Sequence, residues 1–151
     1  MFNKRRNDCR KSGWLPPVSP YGLIQETLWP DEWRIFVACI LLNCATRRTA
    51  ERVIPRLFDA YPTPAAMANA NPSELSDIIA SLGFKNRRTK TLIDMSREYC
   101  RDVWRHPEEL PGIGKYAADA WEIFIRGVLP EHVPNDGALK NYYMWRKRHG
   151  L

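Results

Sequence analysis

The feature that most restricts how this chain can fold is an apolar run from Trp33 to Leu42, interrupted only by Arg34. A surface helix keeps one polar face, so a run this apolar predicts a central helix, over Trp33–Asn43, that is buried on all sides. Asp31 stands just before the run, where its side chain can cap the first turn. The run is shorter than the roughly 18 residues that a membrane helix needs. We therefore expect no membrane partner.

The rest of the chain carries helix signals and no strand signals. No segment alternates apolar and polar side chains with the period of two that marks a half-buried strand. Asn71-Pro72 followed by Glu74 is typical of a helix start, and Gly83 of the end of that helix. Further helices are predicted over about residues 50–61, 86–103 and 114–126, with other starts at Thr63-Pro64 and Asp136. Pro55 is expected to kink or shorten the first of these. The predicted fold class is all-α, with about eight helices.

The positive charge of the chain lies at its two ends. The formal net charge is +6, but residues 1–11 hold five Lys/Arg against one acidic residue, and residues 146–148 add three more basic side chains. Residues 12–145 hold 15 basic and 16 acidic side chains and are nearly neutral. We expect residues 1–11 to form a flexible basic arm and residues 12–151 to form one domain. The net charge alone is therefore little evidence for nucleic acid binding.

The cysteines and histidines indicate no metal centre. The four cysteines are Cys9, Cys39, Cys44 and Cys100. No pair has CxxC spacing, and the three histidines do not complete a zinc pattern with them. Spacing alone leaves a catalytic Cys–His pair open. Cys39 lies in the apolar run, where we expect a buried, reduced thiol and hence a reducing intracellular compartment.

The glycine-rich segment Gly112-Ile113-Gly114-Lys115 has three specific interpretations. A P-loop is excluded, because four residues should separate its first glycine from the Gly-Lys pair. The dinucleotide-binding spacing is present, but that motif must follow a strand, and residues 105–109 are no buried strand. A hairpin between two helices fits, because the glycines allow a sharp turn and the next helix's first amides can bind a DNA phosphate. A plain helix–helix turn is the remaining alternative.

Asp136 lies 20 residues after Tyr116 and is the second informative position. It is typical of a helix N-cap, where the helix dipole keeps a carboxylate ionised. A negative charge beside an anion-binding hairpin repels a phosphate backbone, so DNA binding alone does not explain it. It would stabilise the positive charge that develops on deoxyribose when an N-glycosidic bond breaks. The roles of helix cap and catalytic group are compatible.

The hairpin and the aspartate together resemble the signature of the helix-hairpin-helix DNA glycosylase superfamily. Within it, the chain is most similar to the catalytic domains of the methyl-CpG-binding domain protein 4 family, which are mismatch-specific thymine/uracil glycosylases. Matching segments are collinear from about residue 12 to residue 149 and include Ser12-Gly13-Trp14, Gln25-Glu26-Thr27-Leu28, Leu42-Asn43, Leu110–Ala118 and Asp136. The resemblance implies an active site between two helical halves.

The resemblance further implies a monofunctional DNA glycosylase that releases thymine or uracil from G·T and G·U mismatches in double-stranded DNA. Such an enzyme leaves an abasic site, needs no cofactor or metal, and acts in base excision repair. We expect it to act as a monomer in the nucleus. Two alternatives stay open: a helix-hairpin-helix glycosylase with another base preference, and a non-catalytic DNA-binding module that uses the hairpin alone.

The same resemblance assigns roles to individual residues. Asp136 is the implied catalytic carboxylate, and Tyr116, Gln25 and the backbone near Ile24 would line the pocket for the flipped base. The amide of Gln25 offers a donor and an acceptor, which match the imide edge of thymine or uracil. Tyr116 stands where bifunctional relatives carry a Schiff-base lysine, so we expect no lyase activity.

Other residues are implied to contact DNA outside the base pocket. Phosphate contacts are assigned to Gly112, Ile113, Gly114, Lys115, Arg47, Arg48, Lys85, Arg87 and Arg88. Insertion into the base stack or contact with the unpaired guanine is assigned to Leu82 and Phe84. Cys44 stands where the family has a long polar side chain that fills the gap left by flipping, and it is too short to do so. Arg47 or Arg48 would fill the gap instead.

Overall fold

The apolar run predicted to be central is one of eight α-helices in the computed structural model, which describes residues 13–43 and 45–151. The helices are α1 (Ile24–Leu28), α2 (Glu32–Leu42), α3 (Arg47–Ala60), α4 (Pro64–Ala68), α5 (Pro72–Ile79), α6 (Lys85–Arg101), α7 (Lys115–Trp121) and α8 (Gly137–Arg148). The described ranges contain no strand, so the all-α prediction is confirmed. The predicted arm over residues 1–11 lies outside them.

Helix α2 forms the centre of the core. Between Trp33 and Leu41 every side chain except that of Arg34 is buried, and α1, α3, α6 and α7 pack around it. Asp31 caps the helix by accepting a hydrogen bond from the backbone N–H of Arg34 at 2.9 Å. Within the described residues, no helix is both long and apolar enough to span a membrane. The prediction of a buried central helix is therefore confirmed.

A buried carboxylate at the start of α2 fixes the orientation of α6 and α7. Glu32 accepts a hydrogen bond from the Tyr99 hydroxyl on α6 and another from the indole Nε1–H of Trp121 on α7, each at 2.8 Å. A buried charge is costly unless it is hydrogen-bonded, and here each carboxylate oxygen has a donor. The contact ties the helix that carries Tyr116 to the core.

The helix starts follow the capping signals in the sequence. Thr63, Asn71 and Asp136 each accept a backbone N–H of the helix that they precede. Helix α3 continues through Pro55 for 14 residues, so the expected shortening does not occur. Pro55 and Glu51 are both exposed, so the carbonyl that loses its helical donor faces water.

Helix α1 is absent from the sequence prediction. It has only five residues, too few for an apolar period to show. The residue before the helix, Leu23, has no polar side chain that could cap it. Instead, the carboxylate of Glu26 accepts hydrogen bonds from the backbone N–H groups of Ser19 at 2.7 Å and Leu23 at 2.6 Å. This turn matters because α1 carries Ile24 and Gln25.

A short 3₁₀ turn follows α5 at Ala80–Leu82, and a second one, Pro107–Glu109, precedes the glycine hairpin. Helix α7 continues into a π-helical turn, Glu122–Arg126. The sequence predicts this region as one regular helix from about 114 to 126. The hairpin thus joins a 3₁₀ turn to a helix, and no strand precedes it among the described residues, which excludes the dinucleotide-binding interpretation.

Candidate active site and nucleic-acid interface

Four residues from three distant segments of the sequence line one cavity of about 150 Å³. Ile24 and Gln25 come from α1, Tyr116 from α7, and Asp136 from the N-cap of α8. The remaining lining residues are Leu23, Leu42, Ala45, Arg47 and Ala138. The structure therefore brings together the residues that the resemblance assigns to the catalytic position and the base pocket.

Asp136 caps a helix with one of its two carboxylate oxygens. Its Oδ2 accepts the backbone N–H of Leu139 at 3.0 Å, so it caps α8 as the sequence predicts. The other carboxylate oxygen takes no part in this cap, and Asp136 is exposed at the mouth of the cavity. Both predicted roles of this residue are thus geometrically compatible.

The inner wall of the cavity is a hydrogen-bonded pair. Gln25 is buried, and its Nε2 donates to the Tyr116 hydroxyl at 2.8 Å. Burial, and then the neighbouring Cys39 and Asp136 side chains, raise the pKa of Tyr116 well above its usual range. The phenol therefore stays protonated at physiological pH and can hydrogen-bond to a ligand, but it cannot act as a phenolate base.

A second cavity of about 210 Å³ adjoins Asp136 and contains a charge cluster that the sequence analysis missed. The buried carboxylate of Asp119 contacts Lys115 Nζ at 3.1 Å and His132 Nε2 at 2.8 Å. Lys115 and Asp119 are four residues apart on one helix, a spacing that could have indicated the pair. The Lys115 ammonium therefore pairs with Asp119 in the second cavity, and Lys115 does not line the base pocket.

The hairpin depends on Gly112. Its φ is +77°, and a Cβ placed there would lie 2.2 Å from Thr91 Cγ2 on α6. Ile113 packs into the core and its N–H donates to the Leu110 carbonyl at 3.2 Å, so its side chain is not part of a DNA-facing surface. Gly114 caps α7 without a side chain, and the amides of the first helical turn have no acceptor within the helix. These amides are the ones that can bind an anion.

The two hairpin glycines are expected to tolerate alanine differently. Gly112→Ala combines a left-handed φ with a steric clash, so it should lower the free energy of unfolding by about 2 kcal/mol. Gly114 has an ordinary φ of −102° and no atom within 4 Å of its Cβ position, so Gly114→Ala should stay within about 0.5 kcal/mol of the parent. Urea unfolding of both variants checks this. Equal stabilities would contradict the close packing of the hairpin on α6.

The loop before α6 presents one of its two predicted insertion residues. Phe84 is 70% exposed and has a left-handed φ of +49°, so its ring stands clear of the core. Leu82 is 7% exposed and packs into the core, so its predicted insertion into DNA does not fit this structure. The physical reason is that Leu82 is the last residue of the 3₁₀ turn, which places its side chain against the core. Phe84 is the apolar side chain of this loop that can reach a ligand.

Arg88 is a structural residue rather than a surface cation. It is 6% exposed, and its guanidinium donates to the carbonyls of Leu82 and Gly83, each at 2.5 Å, and of Asn43. The predicted phosphate contact of Arg88 does not fit this structure, because the side chain is buried and three of its five N–H donors are used inside the protein. Arg88 joins the loop that carries Phe84 to the end of α2. Its neighbours Lys85 and Arg87 are exposed.

Arg47 also has internal partners. It donates from Nε to Glu51 at 2.6 Å, from Nη1 to the Tyr21 carbonyl at 3.0 Å and from Nη2 to the Gly22 carbonyl at 2.5 Å. It thereby holds the segment before α1 against α3. Arg48 is exposed, and Cys44 lies outside the described residues. That Arg47 or Arg48 fills the gap left by a flipped base stays a prediction.

Solved structures share this arrangement of helices. A thermostable thymine-DNA glycosylase superposes with a TM-score of 0.60 at 22% identity, over 83% of this chain and 61% of that chain. A trapped endonuclease III–DNA covalent intermediate gives 0.59 at 20% identity, over 80% of this chain and 72% of that chain. The fold is therefore that of the helix-hairpin-helix glycosylases.

The sequence comparisons identify the family. Residues 37–146 match the model of the HhH-GPD superfamily base excision DNA repair proteins, and the chain belongs to this superfamily. It is 40% identical over 130 residues to a methyl-CpG-binding domain protein 4-like protein of Arabidopsis thaliana, covering 86% of this chain and 29% of that protein. It is 37% identical over 95 residues to a thymine-DNA glycosylase of Aeropyrum pernix, covering 58% and 43%. The chain thus spans less than half the length of these two relatives.

Proposed function

We propose that this chain is a monofunctional DNA glycosylase that hydrolyses the N-glycosidic bond of thymine or uracil in G·T and G·U mispairs of double-stranded DNA. The observation that carries the proposal is the position of Asp136 at the mouth of a cavity whose inner wall is the Gln25–Tyr116 pair. The names of the similar proteins, a thymine-DNA glycosylase and a thymine/uracil-DNA glycosylase, support the choice of base.

The proposed reaction uses the charge of Asp136. As the bond between C1′ and the base nitrogen breaks, its electron pair leaves with the base and positive charge develops on the sugar. The Asp136 carboxylate, held by the cap of α8, stabilises that charge. A water oxygen then bonds to C1′, and its proton passes to Asp136 and on to solvent, while the released base takes a proton from solvent. The product is an abasic site on an intact strand.

Exposed residues outside the cavity support DNA as the substrate. Exposed Phe84 can enter the base stack, a device that kinks DNA at the site of a flipped nucleotide. Lys85 and Arg87 follow it on the exposed face of α6, and the first amides of α7 offer a further phosphate site. A mispaired base costs less to unstack than a paired one, which favours mismatches over normal DNA.

A panel of duplexes tests the base preference. Single-turnover reactions with G·U, G·T, A·8-oxoguanine and 3-methyladenine·T duplexes should release uracil and thymine and leave the two purine lesions in place. The Gln25 carbonyl oxygen can accept the N3 hydrogen of a pyrimidine imide edge, which neither purine lesion presents in the same position. Release of a purine lesion with G·U and G·T intact would replace this proposal with the alternative base preference.

No lyase activity is expected. A Schiff base requires a primary amine at C1′; the phenol of Tyr116 cannot form one, and the Lys115 amine pairs with Asp119 in the second cavity. Borohydride added to a reacting G·U duplex should therefore trap no covalent adduct, and the strand should break only after alkali. A trapped adduct in the parent would contradict the expected absence of lyase activity and the argument from Tyr116; its loss in Lys115→Ala would identify Lys115 as the amine.

A further inference from the structure

The buried thiol of Cys39 contacts the base pocket from behind. Cys39 lies on the central helix α2 and is 2% exposed. Its Sγ accepts a hydrogen bond from Nε2 of Gln25 at 3.7 Å, a normal distance for sulfur, and it also interacts with the Tyr116 hydroxyl. The reaction described above gives this thiol no task, although it contacts both residues of the pocket's inner wall.

The two hydrogens of the Gln25 amide are both used inside the protein. Nε2 carries two N–H groups; it donates to Tyr116 Oη at 2.8 Å and to Cys39 Sγ. The group that this amide can still offer a bound base is its carbonyl oxygen, which is an acceptor. Without the Cys39 contact, the amide would keep one partner and could turn its nitrogen toward the cavity.

The orientation of the amide decides which base edge fits. Thymine and uracil carry a hydrogen on N3 and can donate it to the Gln25 oxygen. Cytosine and its derivatives carry a lone pair on N3. In the same position this N3 would face the Gln25 carbonyl oxygen, so two acceptors would repel each other and the buried N3 lone pair would have no donor. A site that holds a fixed acceptor therefore discriminates between these pyrimidines by more than their size.

We propose that Cys39 is a specificity-determining positioning residue: by holding the Gln25 amide with its oxygen toward the cavity, it makes the site accept bases with an N3 hydrogen and reject cytosine bases. This inference rests on the proposed glycosylase function. Burial raises the pKa of the Cys39 thiol to about 12, so at physiological pH sulfur acts as a neutral hydrogen-bond acceptor and not as a nucleophile.

The kinetic test compares two bases in two variants. Uracil and 5-formylcytosine are placed opposite guanine, and single-turnover rates are measured with the parent, Cys39→Ala and Cys39→Ser. The serine hydroxyl keeps an acceptor behind Gln25, whereas alanine removes it. We expect Cys39→Ala to lower the ratio of uracil release to 5-formylcytosine release by about tenfold, the effect of one hydrogen bond. Cys39→Ser should stay within about threefold of the parent. An unchanged ratio in Cys39→Ala overturns the specificity role.

A second readout tests the positioning without DNA. The side-chain ¹⁵N–¹H₂ signals of Gln25 should exchange slowly with water in the free parent protein and in Cys39→Ser, and about tenfold faster in Cys39→Ala. Fast exchange in the parent overturns the positioning role. A parent that releases neither base contradicts the proposed function instead, and amide exchange then decides the positioning role by itself.

Discussion

Asp136→Asn is expected to slow base release about 10²- to 10³-fold while leaving the fold and DNA binding intact. Asparagine caps a helix about as well as aspartate, so the hydrogen bond to the Leu139 N–H is kept and α8 should form normally. The variant removes the negative charge that faces the developing oxocarbenium ion. Losing one preorganised electrostatic contact of this kind costs about 10²- to 10³-fold in rate. Single-turnover uracil release from a G·U duplex measures it.

Asp136→Ala is the matched control. It removes the cap as well as the charge, so it should also lower the free energy of unfolding by about 1 kcal/mol, which Asp136→Asn should not. The pair of variants separates the structural role of the carboxylate from its chemical role. If the Asp136→Asn variant releases uracil at the parent rate, Asp136 has no catalytic role.

Arg88→Ala is expected to have the largest effect on stability. Three backbone carbonyls, of Leu82, Gly83 and Asn43, lose a charged donor in a buried site. Charge-assisted hydrogen bonds contribute about 1.5–3 kcal/mol each, and some of these carbonyls regain water, so we expect a loss of about 3 kcal/mol. Uracil release should fall too, because the loop that presents Phe84 loses its attachment to α2. Urea unfolding and single-turnover kinetics measure the two effects.

Arg87→Ala gives the comparison within the same cluster. Arg87 is exposed, so its loss should change the free energy of unfolding by less than about 0.5 kcal/mol. If Arg87 contacts a phosphate, its loss should weaken DNA binding. The slope of log K against log [salt], where K is the DNA-binding constant, should then become shallower by about one. Equal stability of the Arg87→Ala and Arg88→Ala variants would contradict the internal role of Arg88.

Local signals predicted the helical framework well, because each depends on a few neighbouring residues. The apolar run at Trp33 gave the buried helix, and Asp31 and Asn71 cap the helices that follow them. Asp136 could be identified both as a cap and, from the resemblance, as a catalytic candidate. Its approach to Gln25 depends on the packing of α1, a helix too short to show in the sequence.

The predictions that do not fit the structure concern residues whose environment is set by tertiary contacts. The resemblance assigned phosphate contacts to Lys85, Arg87 and Arg88 alike, yet Arg88 lies on the inner side of α6 and donates to three carbonyls. Leu82 looked available beside Phe84, but the 3₁₀ turn places it in the core. The contacts of Cys39 with Gln25 and of Asp119 with His132 join residues with no sequence pattern between them.

The most direct test of the central claim is whether DNA held by this chain loses its base. A G·U duplex is titrated with the protein until fluorescence anisotropy shows full binding, and free uracil is then quantified by chromatography. The proposed function predicts one uracil released per bound duplex, with both strands intact until alkali is added. Full binding with no free uracil would contradict it and would leave a hairpin module that binds DNA without catalysis.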